Sequence, residues 1–330
     1  MKLVVIGLGS MGKRRIKLLT GHFADNVRVC GVDTRLDRRE EVEQLYDVRT
    51  YADLESAINN EQPIGALICT SPQTHPVLTL VCLEKQLHVF SEINLLLDSC
   101  ENIIEQAKVR NLKLFLSSTL LYRKEIEYIQ LKVHSTSSKT HYRYHVGQYL
   151  PDWHPWESYK DFFVGNRSTN GCRELFAIEL PWIIRTFGPI AHYHVVKDKI
   201  SSLEIDYPDS YMVTLEHESG HKGVLHVDVV SRKAVRSLEV YSEQLHILWD
   251  GTPQGLSMYN LEAKQMESIE TYQEVDQDQR YAANIIENAY LEELIAFIGE
   301  IEGQEDLARY TFADDLTTLA FIDRIEGIAQ

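Results

Sequence analysis

Residues 1–12 hold the sequence feature that most constrains how this chain can fold. A short apolar run, Met1 to Ile6, stops at Gly7-Leu8-Gly9-Ser10-Met11-Gly12, and a basic and then apolar stretch follows. This order predicts a buried strand, a tight turn and a helix, and the glycine spacing is the G-x-G-x-x-G pattern of dinucleotide-binding sites. In that pattern the first glycine permits the turn, the second lets a pyrophosphate approach the backbone, and the third lets the helix pack on the strand. We therefore predict that the free N–H groups at this helix N-terminus bind the phosphates of a dinucleotide.

An acidic residue after the second predicted strand indicates which dinucleotide is bound. The strand Val27 to Val32 ends at Asp33, about 20 residues after the glycines, where a carboxylate accepts hydrogen bonds from the adenosine ribose. A carboxylate repels a 2′-phosphate, so Asp33 favours NAD(H), whereas the neighbouring Arg35 leaves NADP(H) open. A glycine-rich turn that binds no dinucleotide is the alternative. The residues predicted to contact the cofactor here are Gly7, Gly9, Ser10, Met11, Gly12, Asp33 and Arg35.

Composition excludes several classes of partner. The 330 residues carry a formal net charge of −16, which opposes binding to nucleic acid or to an anionic membrane. No apolar run approaches the length needed to span a bilayer, and no signal-peptide pattern precedes the first strand. The five cysteines are scattered and lack C-x-x-C spacing, which is typical of reduced, buried thiols. We therefore expect a cytoplasmic protein without a membrane partner.

The order of predicted elements indicates two domains. Strands alternate with helices up to about residue 120, which predicts an α/β Rossmann domain with a doubly wound parallel sheet. Beyond Tyr122, alternating strands with few helices predict an α+β domain with an open, mostly antiparallel sheet. The predicted domains are residues 1–120 and 121–330. Ligands bind at the carboxyl ends of strands in such parallel sheets, so the polar turns that follow the predicted strands are candidate sites.

Several stretches together resemble the Gfo/Idh/MocA family, which includes glucose–fructose oxidoreductase and inositol dehydrogenase. They are Gly7 to Gly12, the turn Cys69 to His75, the strand His88 to Glu92, and the C-terminal stretches Tyr290 to Leu294 and Tyr310 to Asp315. The resemblance implies an oxidoreductase with a sugar-like or cyclitol-like substrate, and a homo-oligomer, dimer or tetramer, formed through the C-terminal sheet. It also implies further cofactor contacts close to the nicotinamide, which are Thr70, Ser71, Pro72, His75 and Glu92.

Two departures from the family pattern affect the residues that transfer protons. Where the family has Lys-Pro after the glutamate, this chain has Ile93 and Asn94. The family also has an acid and, four residues later, a histidine on one helix face, and these align with Glu174 and Ile178. An isoleucine can neither hold a hydroxyl group nor take its proton, so both of the family's usual proton-transfer groups are absent from this alignment.

Other polar residues are therefore candidates for chemistry and for substrate binding. His154 lies in a loop rich in proline and tryptophan and has a side-chain pKa suited to acid–base work near neutrality. Glu174 and Glu179 lie on an otherwise apolar helix, where an unpaired carboxylate is costly and so indicates a site. Structural alternatives exist for each: a surface histidine, a helix cap or a salt bridge. The predicted catalytic residues are His154, Glu174 and Glu179, and the predicted substrate-binding residues are Asn94, Arg123, Trp153, Trp156 and Arg173.

Function follows from these features as two hypotheses. The first is an NAD(P)-dependent oxidoreductase that acts on a sugar, a sugar acid or a nucleotide sugar. The second is a sensor of the same fold that binds dinucleotide and sugar but transfers no hydride. The histidines, including His141, His145, His217 and His221, show no metal-ligand spacing along the chain, so no metal is expected.

Overall fold

The chain folds into two compact units in a computed structural model that describes residues 1–153, 158–278 and 282–328. One unit comprises Met1–Ser118 and Tyr290–Thr317, and the other comprises Thr119–Ala289 and Thr318–Gln330. The chain thus leaves the first unit two residues before the boundary predicted at residue 120. It also returns to that unit near its C-terminus, a segment that the sequence pattern placed in the second domain.

The first unit contains a six-stranded parallel sheet among its described residues. Its strands are β1 (Lys2–Ile6), β2 (Arg28–Val32), β3 (Arg49–Tyr51), β4 (Gly65–Ile68), β5 (His88–Ser91) and β6 (Leu114–Leu116). Their order across the sheet is β3-β2-β1-β4-β5-β6, which is the doubly wound order of dinucleotide-binding domains. In register, Ile6 of β1 lies beside Val32 of β2 and Ile68 of β4, so the turns after these three strands meet at one edge.

Helices connect consecutive strands of this sheet. They are α1 (Ser10–His22), α2 (Leu36–Tyr46), α3 (Leu54–Glu61), α4 (His75–Glu84) and α5 (Cys100–Val109). The strands are apolar because helices in such folds cover both faces of the sheet, and Leu3, Val4 and Val5 of β1 have no exposed surface. The predicted α/β Rossmann domain is confirmed.

The second unit contains a mixed sheet. Its elements are α6 (Lys124–Ser135), β7 (His141–Gly147), α7 (Gly171–Phe187), β8 (Ile190–Asp198), β9 (Ser210–His217), β10 (Lys222–Asp228), β11 (Val235–Tyr241), β12 (His246–Trp249), β13 (Ser257–Asn260) and β14 (Gln265–Ser268). The strand order is β14-β13-β12-β11-β7-β10-β9-β8, and within the described ranges only β7 and β10 pair in parallel. The predicted open, mostly antiparallel sheet is confirmed.

One face of this mixed sheet is covered by helix α7. Burial alternates along β7, β9 and β10, so every second side chain points into the core. Helix α7 packs on β9 and β10, and the Asn170 side chain caps it by accepting a hydrogen bond from the backbone N–H of Arg173 at 2.8 Å. Two further helices, α8 (Glu287–Ile301) and α9 (Phe312–Glu326), close the chain. Within the residues that the structure describes, no helix combines the length and apolar character needed to cross a membrane.

Candidate functional site

The glycine turn after β1 forms a cradle with open space at its centre. An added Cβ atom at Gly7, where φ is +91°, would lie 2.8 Å from the Cys69 carbonyl oxygen, and one at Gly12 would lie 1.9 Å from the Gly7 carbonyl oxygen. At Gly9, by contrast, the nearest atom to an added Cβ is an Arg38 side-chain nitrogen at 3.7 Å. Gly7 and Gly12 are therefore required by the fold itself, whereas Gly9 leaves room above the backbone.

The start of helix α1 suits an anionic ligand in that space. Gly9 is the N-cap, no side chain caps the helix, and no acidic residue lies in its first turn. Ser10 and Met11 are partly exposed there. The positive end of the helix dipole and the first N–H groups therefore point toward the open space at Gly9, as phosphate binding requires. The residues present fit the pyrophosphate of a dinucleotide.

Asp33 lies at the edge of the cradle with its carboxylate already positioned. Oδ2 accepts a hydrogen bond from the Leu8 backbone N–H at 2.8 Å, and Oδ1 accepts one from the Arg35 backbone N–H at 2.9 Å. The exposed Arg35 side chain pairs with Asp37. Arg38, which the sequence analysis did not select, lies 3.6 Å from Asp33 Oδ2 and is the nearest side chain to Gly9. Arg38 is therefore the arginine placed beside the predicted ribose contact.

The turn after β4 is held by a buried histidine. His75 Nε2 lies 3.0 Å from the Thr70 carbonyl oxygen, and Nδ1 lies 3.4 Å from Asn94 Oδ1. Burial lowers the pKa of His75, so its imidazole is neutral at neutral pH. Asn94 in turn donates to Asp315 Oδ2 at 3.2 Å. Pro72 is buried while Ser71 is exposed, so the polar part of this turn faces outward. His75 therefore positions the turn through its contact with the Thr70 carbonyl oxygen.

A buried arginine fixes the glutamate that follows β5. Arg15 of α1 has no exposed side-chain surface and donates to Glu92 Oε1 and to Glu293 Oε2, each at 2.7 Å. Glu293 also accepts hydrogen bonds from the Ser117 hydroxyl at 3.0 Å and the Ser118 backbone N–H at 2.8 Å. Burial alone would lower the pKa of Arg15, but the two carboxylates outweigh it and raise that pKa. Ile93, next to Glu92, is partly exposed.

Glu174 on α7 is the acid whose environment is most unusual in the second unit. Its Oε2 is buried and has no hydrogen-bond partner among the described residues. Burial raises the pKa of this carboxyl group to about 8. Glu174 as a whole side chain is partly exposed, and so is Ile178, which lies one turn further along the helix. The two side chains therefore lie on the same partly exposed side of α7. A carboxyl group whose pKa is raised toward neutrality, and that has no hydrogen-bond partner among the described residues, can give or take a proton.

Glu179 differs from Glu174 in every respect that matters for chemistry. It is fully buried, and its Oε1 accepts two hydrogen bonds from Arg236, at 3.0 and 2.6 Å. Its Oε2 accepts hydrogen bonds from the Tyr144 hydroxyl at 2.7 Å and the Trp182 indole N–H at 2.8 Å. With both oxygens paired inside the core, this carboxylate joins α7 to the sheet.

The two arginines expected to bind substrate have partners within the core of their unit. Arg123 is 2% exposed, pairs with Glu125, and donates to the Asn284 carbonyl oxygen at 2.6 Å. Arg173 is 3% exposed and pairs with Asp323 at 2.8 Å and Glu326 at 2.5 Å. These ion pairs place both guanidinium groups in structural contacts.

The described residues include only part of the tryptophan-rich loop. The Trp153 indole N–H donates to the Gln148 carbonyl oxygen at 3.2 Å, and its ring lies near Gly171 at the start of α7. Trp153 therefore lies near the N-terminal end of α7, the end that carries Glu174. His154 and Trp156 lie outside the described residues.

Comparison with known families agrees with the geometry of the first unit. Residues 1–118 match the family model described as GFO_IDH_MocA, oxidoreductase family, NAD-binding Rossmann fold. The same region is 32% identical, over 118 residues, to myo-inositol 2-dehydrogenase of Thermotoga maritima. That match covers 35% of this chain and 35% of the relative, so it spans about a third of the relative's length. The predicted resemblance and the predicted NAD-binding domain are confirmed over these residues.

Solved structures share the fold of the whole chain. An oxidoreductase from Agrobacterium radiobacter in complex with NAD⁺, L-tartaric acid and magnesium has a TM-score of 0.79 at 15% identity, with 98% of this chain and 94% of that chain covered. UDP-N-acetylglucosamine 3-dehydrogenase from Acidithiobacillus ferrooxidans has a TM-score of 0.74 at 15% identity, with 99% and 97% covered. At these identities the likeness establishes the two-domain architecture.

Proposed function

We propose that this chain, whose residues 1–118 match the NAD-binding Gfo/Idh/MocA oxidoreductase family model, is an NAD-dependent dehydrogenase of a sugar or sugar derivative. The observation that carries the proposal is the glycine cradle, open at Gly9 and flanked by the positioned carboxylate of Asp33. Gly9 and the start of α1 would hold the pyrophosphate, and Asp33 would hold the adenosine ribose. The turn Thr70 to His75 and Glu92 would lie close to the nicotinamide.

Asp33 also supports a preference between the two nicotinamide dinucleotides. Its carboxylate repels a 2′-phosphate, and the Arg35 side chain, the first candidate for binding that phosphate, is engaged by Asp37. Arg38 is close enough to Asp33 to offset part of that repulsion. We therefore expect NAD(H) to bind more tightly than NADP(H), with NADP(H) still bound.

Glu174 is the proposed proton-transfer group. NAD⁺, when bound, accepts a hydride from the substrate carbon, and the hydroxyl proton must then pass to a base. Ionised Glu174 can accept that proton, and protonated Glu174 can return it to a carbonyl oxygen in the reverse direction. Because the pKa of Glu174 is about 8, the group loses its proton as the pH rises through that value. We therefore expect the rate of substrate oxidation to rise, and the rate of the reverse reduction to fall, as the pH increases. His154 remains a second candidate for this role.

The proposed substrate class is a polyhydroxylated compound, a sugar or a sugar derivative such as a sugar acid or a nucleotide sugar. Support comes from the similar proteins, which include a myo-inositol 2-dehydrogenase, a UDP-N-acetylglucosamine 3-dehydrogenase and an oxidoreductase crystallised with L-tartaric acid. Trp153, near the start of α7, is the described residue that we propose for substrate contact, whereas the Asn94 side chain is buried and donates to Asp315. Five free, buried cysteines fit the proposal that the protein works in the cytoplasm.

A nicotinamide-absorbance screen tests this function. The purified chain is incubated with NAD⁺ or NADP⁺ and with cyclitols, sugar acids and nucleotide sugars, and the reduced cofactor is measured. We expect reduction of NAD⁺ with one of these classes and slower reduction of NADP⁺. Tight binding of NADH without turnover on any compound would contradict the proposal and favour the sensor hypothesis.

We also propose that copies of this chain associate through the open face of the mixed sheet. Side chains on that face include large apolar ones that are 37–51% exposed: Val196, Met212, Val224, Tyr241 and Leu248. An exposed apolar patch spread over neighbouring strands is typical of an association surface. Light scattering on the eluting protein should therefore give a dimer or tetramer mass.

A charge placed on this face should separate the copies. We expect Val224→Glu to elute as a monomer, because an unpaired carboxylate would be buried in the interface. Leu131→Glu on α6, at a position that is 64% exposed, is the matched control and should keep the wild-type mass. A monomeric wild-type protein would contradict this part of the proposal.

A further inference from the structure

Two histidines and an aspartate meet on the open face of the mixed sheet. His145 of β7 and His226 of β10 are directly opposite in the parallel pairing, and their rings stack at 4.3 Å. Asp228 lies two residues beyond His226 and therefore on the same face. Its Oδ2 lies 2.7 Å from His145 Nε2 and 4.0 Å from His226 Nε2. One candidate ligand atom from each of the three residues lies within 4.8 Å of the others.

The backbone and side chains around Asp228 hold its carboxylate rigidly. Oδ1 accepts hydrogen bonds from the backbone N–H groups of Val230 at 2.9 Å and Ser231 at 2.7 Å, and Oδ2 accepts one from the Ser231 hydroxyl at 3.0 Å. Gly147 is paired opposite Asp228, and an added Cβ there would lie 2.4 Å from Oδ2. A side chain at Gly147 would therefore displace the carboxylate from the two imidazoles.

We propose that His145, His226 and Asp228 bind a divalent transition-metal ion of the Zn²⁺ type. Two imidazole nitrogens and one carboxylate oxygen are a donor set that Zn²⁺ accepts, with an open position left for water. Tetrahedral Zn²⁺ places its ligand atoms about 3.3 Å apart. The distances of 2.7 and 4.0 Å from Asp228 Oδ2 bracket that value, so small ring rotations complete the site. Hydrogen bonds to the ligating carboxylate supply the outer support that metal sites use.

Access also suits a metal ion. In the single chain the two imidazole side chains are 35% and 33% exposed, so an ion can enter from solvent before copies associate through this face. Binding requires the Nε2 atoms of both rings to be unprotonated.

The sequence offered no spacing signal for this cluster, because the pairing of β7 with β10 creates it. A plain hydrogen bond between His145 and Asp228 is the competing explanation. That explanation covers two of the three donors, and the third, His226 Nε2, lies 3.2 Å from the Ser210 hydroxyl, a contact that an ion would replace.

Calorimetric titration of the tag-free, chelator-treated chain with Zn²⁺ tests the proposal. We expect one Zn²⁺ bound per chain and no binding of Mg²⁺ at the same concentration, because Mg²⁺ prefers all-oxygen octahedral sites. His145→Ala and His226→Ala should each weaken Zn²⁺ binding by at least about tenfold. Asp228→Asn should weaken it as well, while an amide oxygen can still accept the two backbone hydrogen bonds.

The matched control is His141→Ala, which removes an exposed imidazole from the same strand and face. It should leave Zn²⁺ affinity unchanged. Absence of Zn²⁺ binding to the wild-type chain would overturn the proposal. So would binding that survives both His145→Ala and His226→Ala, since the ion would then be held elsewhere. Circular dichroism on each variant confirms that the chain remains folded.

Discussion

Glu174→Gln is expected to lower turnover by about 10²- to 10⁴-fold on the substrate that the screen identifies, which is the usual contribution of one general acid–base group. The substitution keeps the shape of the side chain and removes only its ability to exchange a proton. The binding of NADH should not change, because Glu174 lies in the second unit. Turnover that equals that of the wild-type chain would remove Glu174 from the proposed mechanism.

The same variant should be more stable than the wild-type chain at alkaline pH. The pKa of Glu174 is about 8 in the folded state and 4.5 as its ordinary value, so the folded chain binds the extra proton between these pH values. Stability therefore falls as pH rises from about 4.5 to 8, and each pKa unit corresponds to about 1.4 kcal/mol. We expect Glu174→Gln to unfold like the wild-type chain at pH 5 and to gain about 2–4 kcal/mol at pH 9. Urea unfolding at the two pH values measures this.

Glu179→Gln is the matched control on the same helix. It leaves the Arg236 guanidinium, whose side chain is only 12% exposed, without its charge partner. We expect a loss of about 3 kcal/mol or more in the free energy of unfolding. Two isosteric changes five residues apart should therefore shift stability in opposite directions at pH 9. A gain of stability in both would show that the difference in burial and pairing described here is wrong.

Gly9→Ala is expected to weaken NADH binding by about 10- to 100-fold, or about 1.4–2.7 kcal/mol, while the chain stays folded. Apart from its chain neighbours, the described residue nearest to the added methyl group is Arg38, at 3.7 Å, so the methyl group costs the fold little. It would, however, occupy the space where a pyrophosphate approaches the backbone. Gly12→Ala is unsuitable for this purpose, because its methyl group would lie 1.9 Å from the Gly7 carbonyl oxygen and disrupt the turn itself.

The control for Gly9→Ala is Gly21→Ala at the far end of helix α1. An added Cβ at Gly21 meets no atom within 4 Å among the described residues, so this variant should fold and bind NADH like the wild-type chain. Fluorescence titration with NADH and thermal unfolding of both variants make the comparison. Equal NADH affinity of Gly9→Ala and wild type would place the dinucleotide away from the cradle.

Local signals explain why the first domain could be predicted from the sequence. The apolar strands, the glycine turn and Asp33 lie within 33 consecutive residues and depend on few distant contacts. The return of Tyr290–Thr317 to the first unit could not be predicted in this way. An amphipathic helix has the same sequence pattern whichever unit it packs against. Arg15 was missed for the same reason: its partner Glu293 is far away in the sequence.

The candidate site was harder to predict because charge pairing depends on register between distant elements. Glu174 and Glu179 look equivalent on an apolar helix, and the contacts of Glu179 with Arg236, Tyr144 and Trp182 distinguish them. Arg123 did carry a readable signal, since its partner Glu125 is two residues away. The cluster of His145, His226 and Asp228 arises only when β7 and β10 pair in parallel.

Calorimetric titration of the wild-type chain with NADH tests the central claim most directly. The open cradle at Gly9 and the positioned carboxylate of Asp33 predict one NADH per chain, and weaker binding of NADPH. Folded protein that releases or absorbs no heat with either nucleotide would contradict the claim, because residues 1–118 would then bind no nicotinamide dinucleotide.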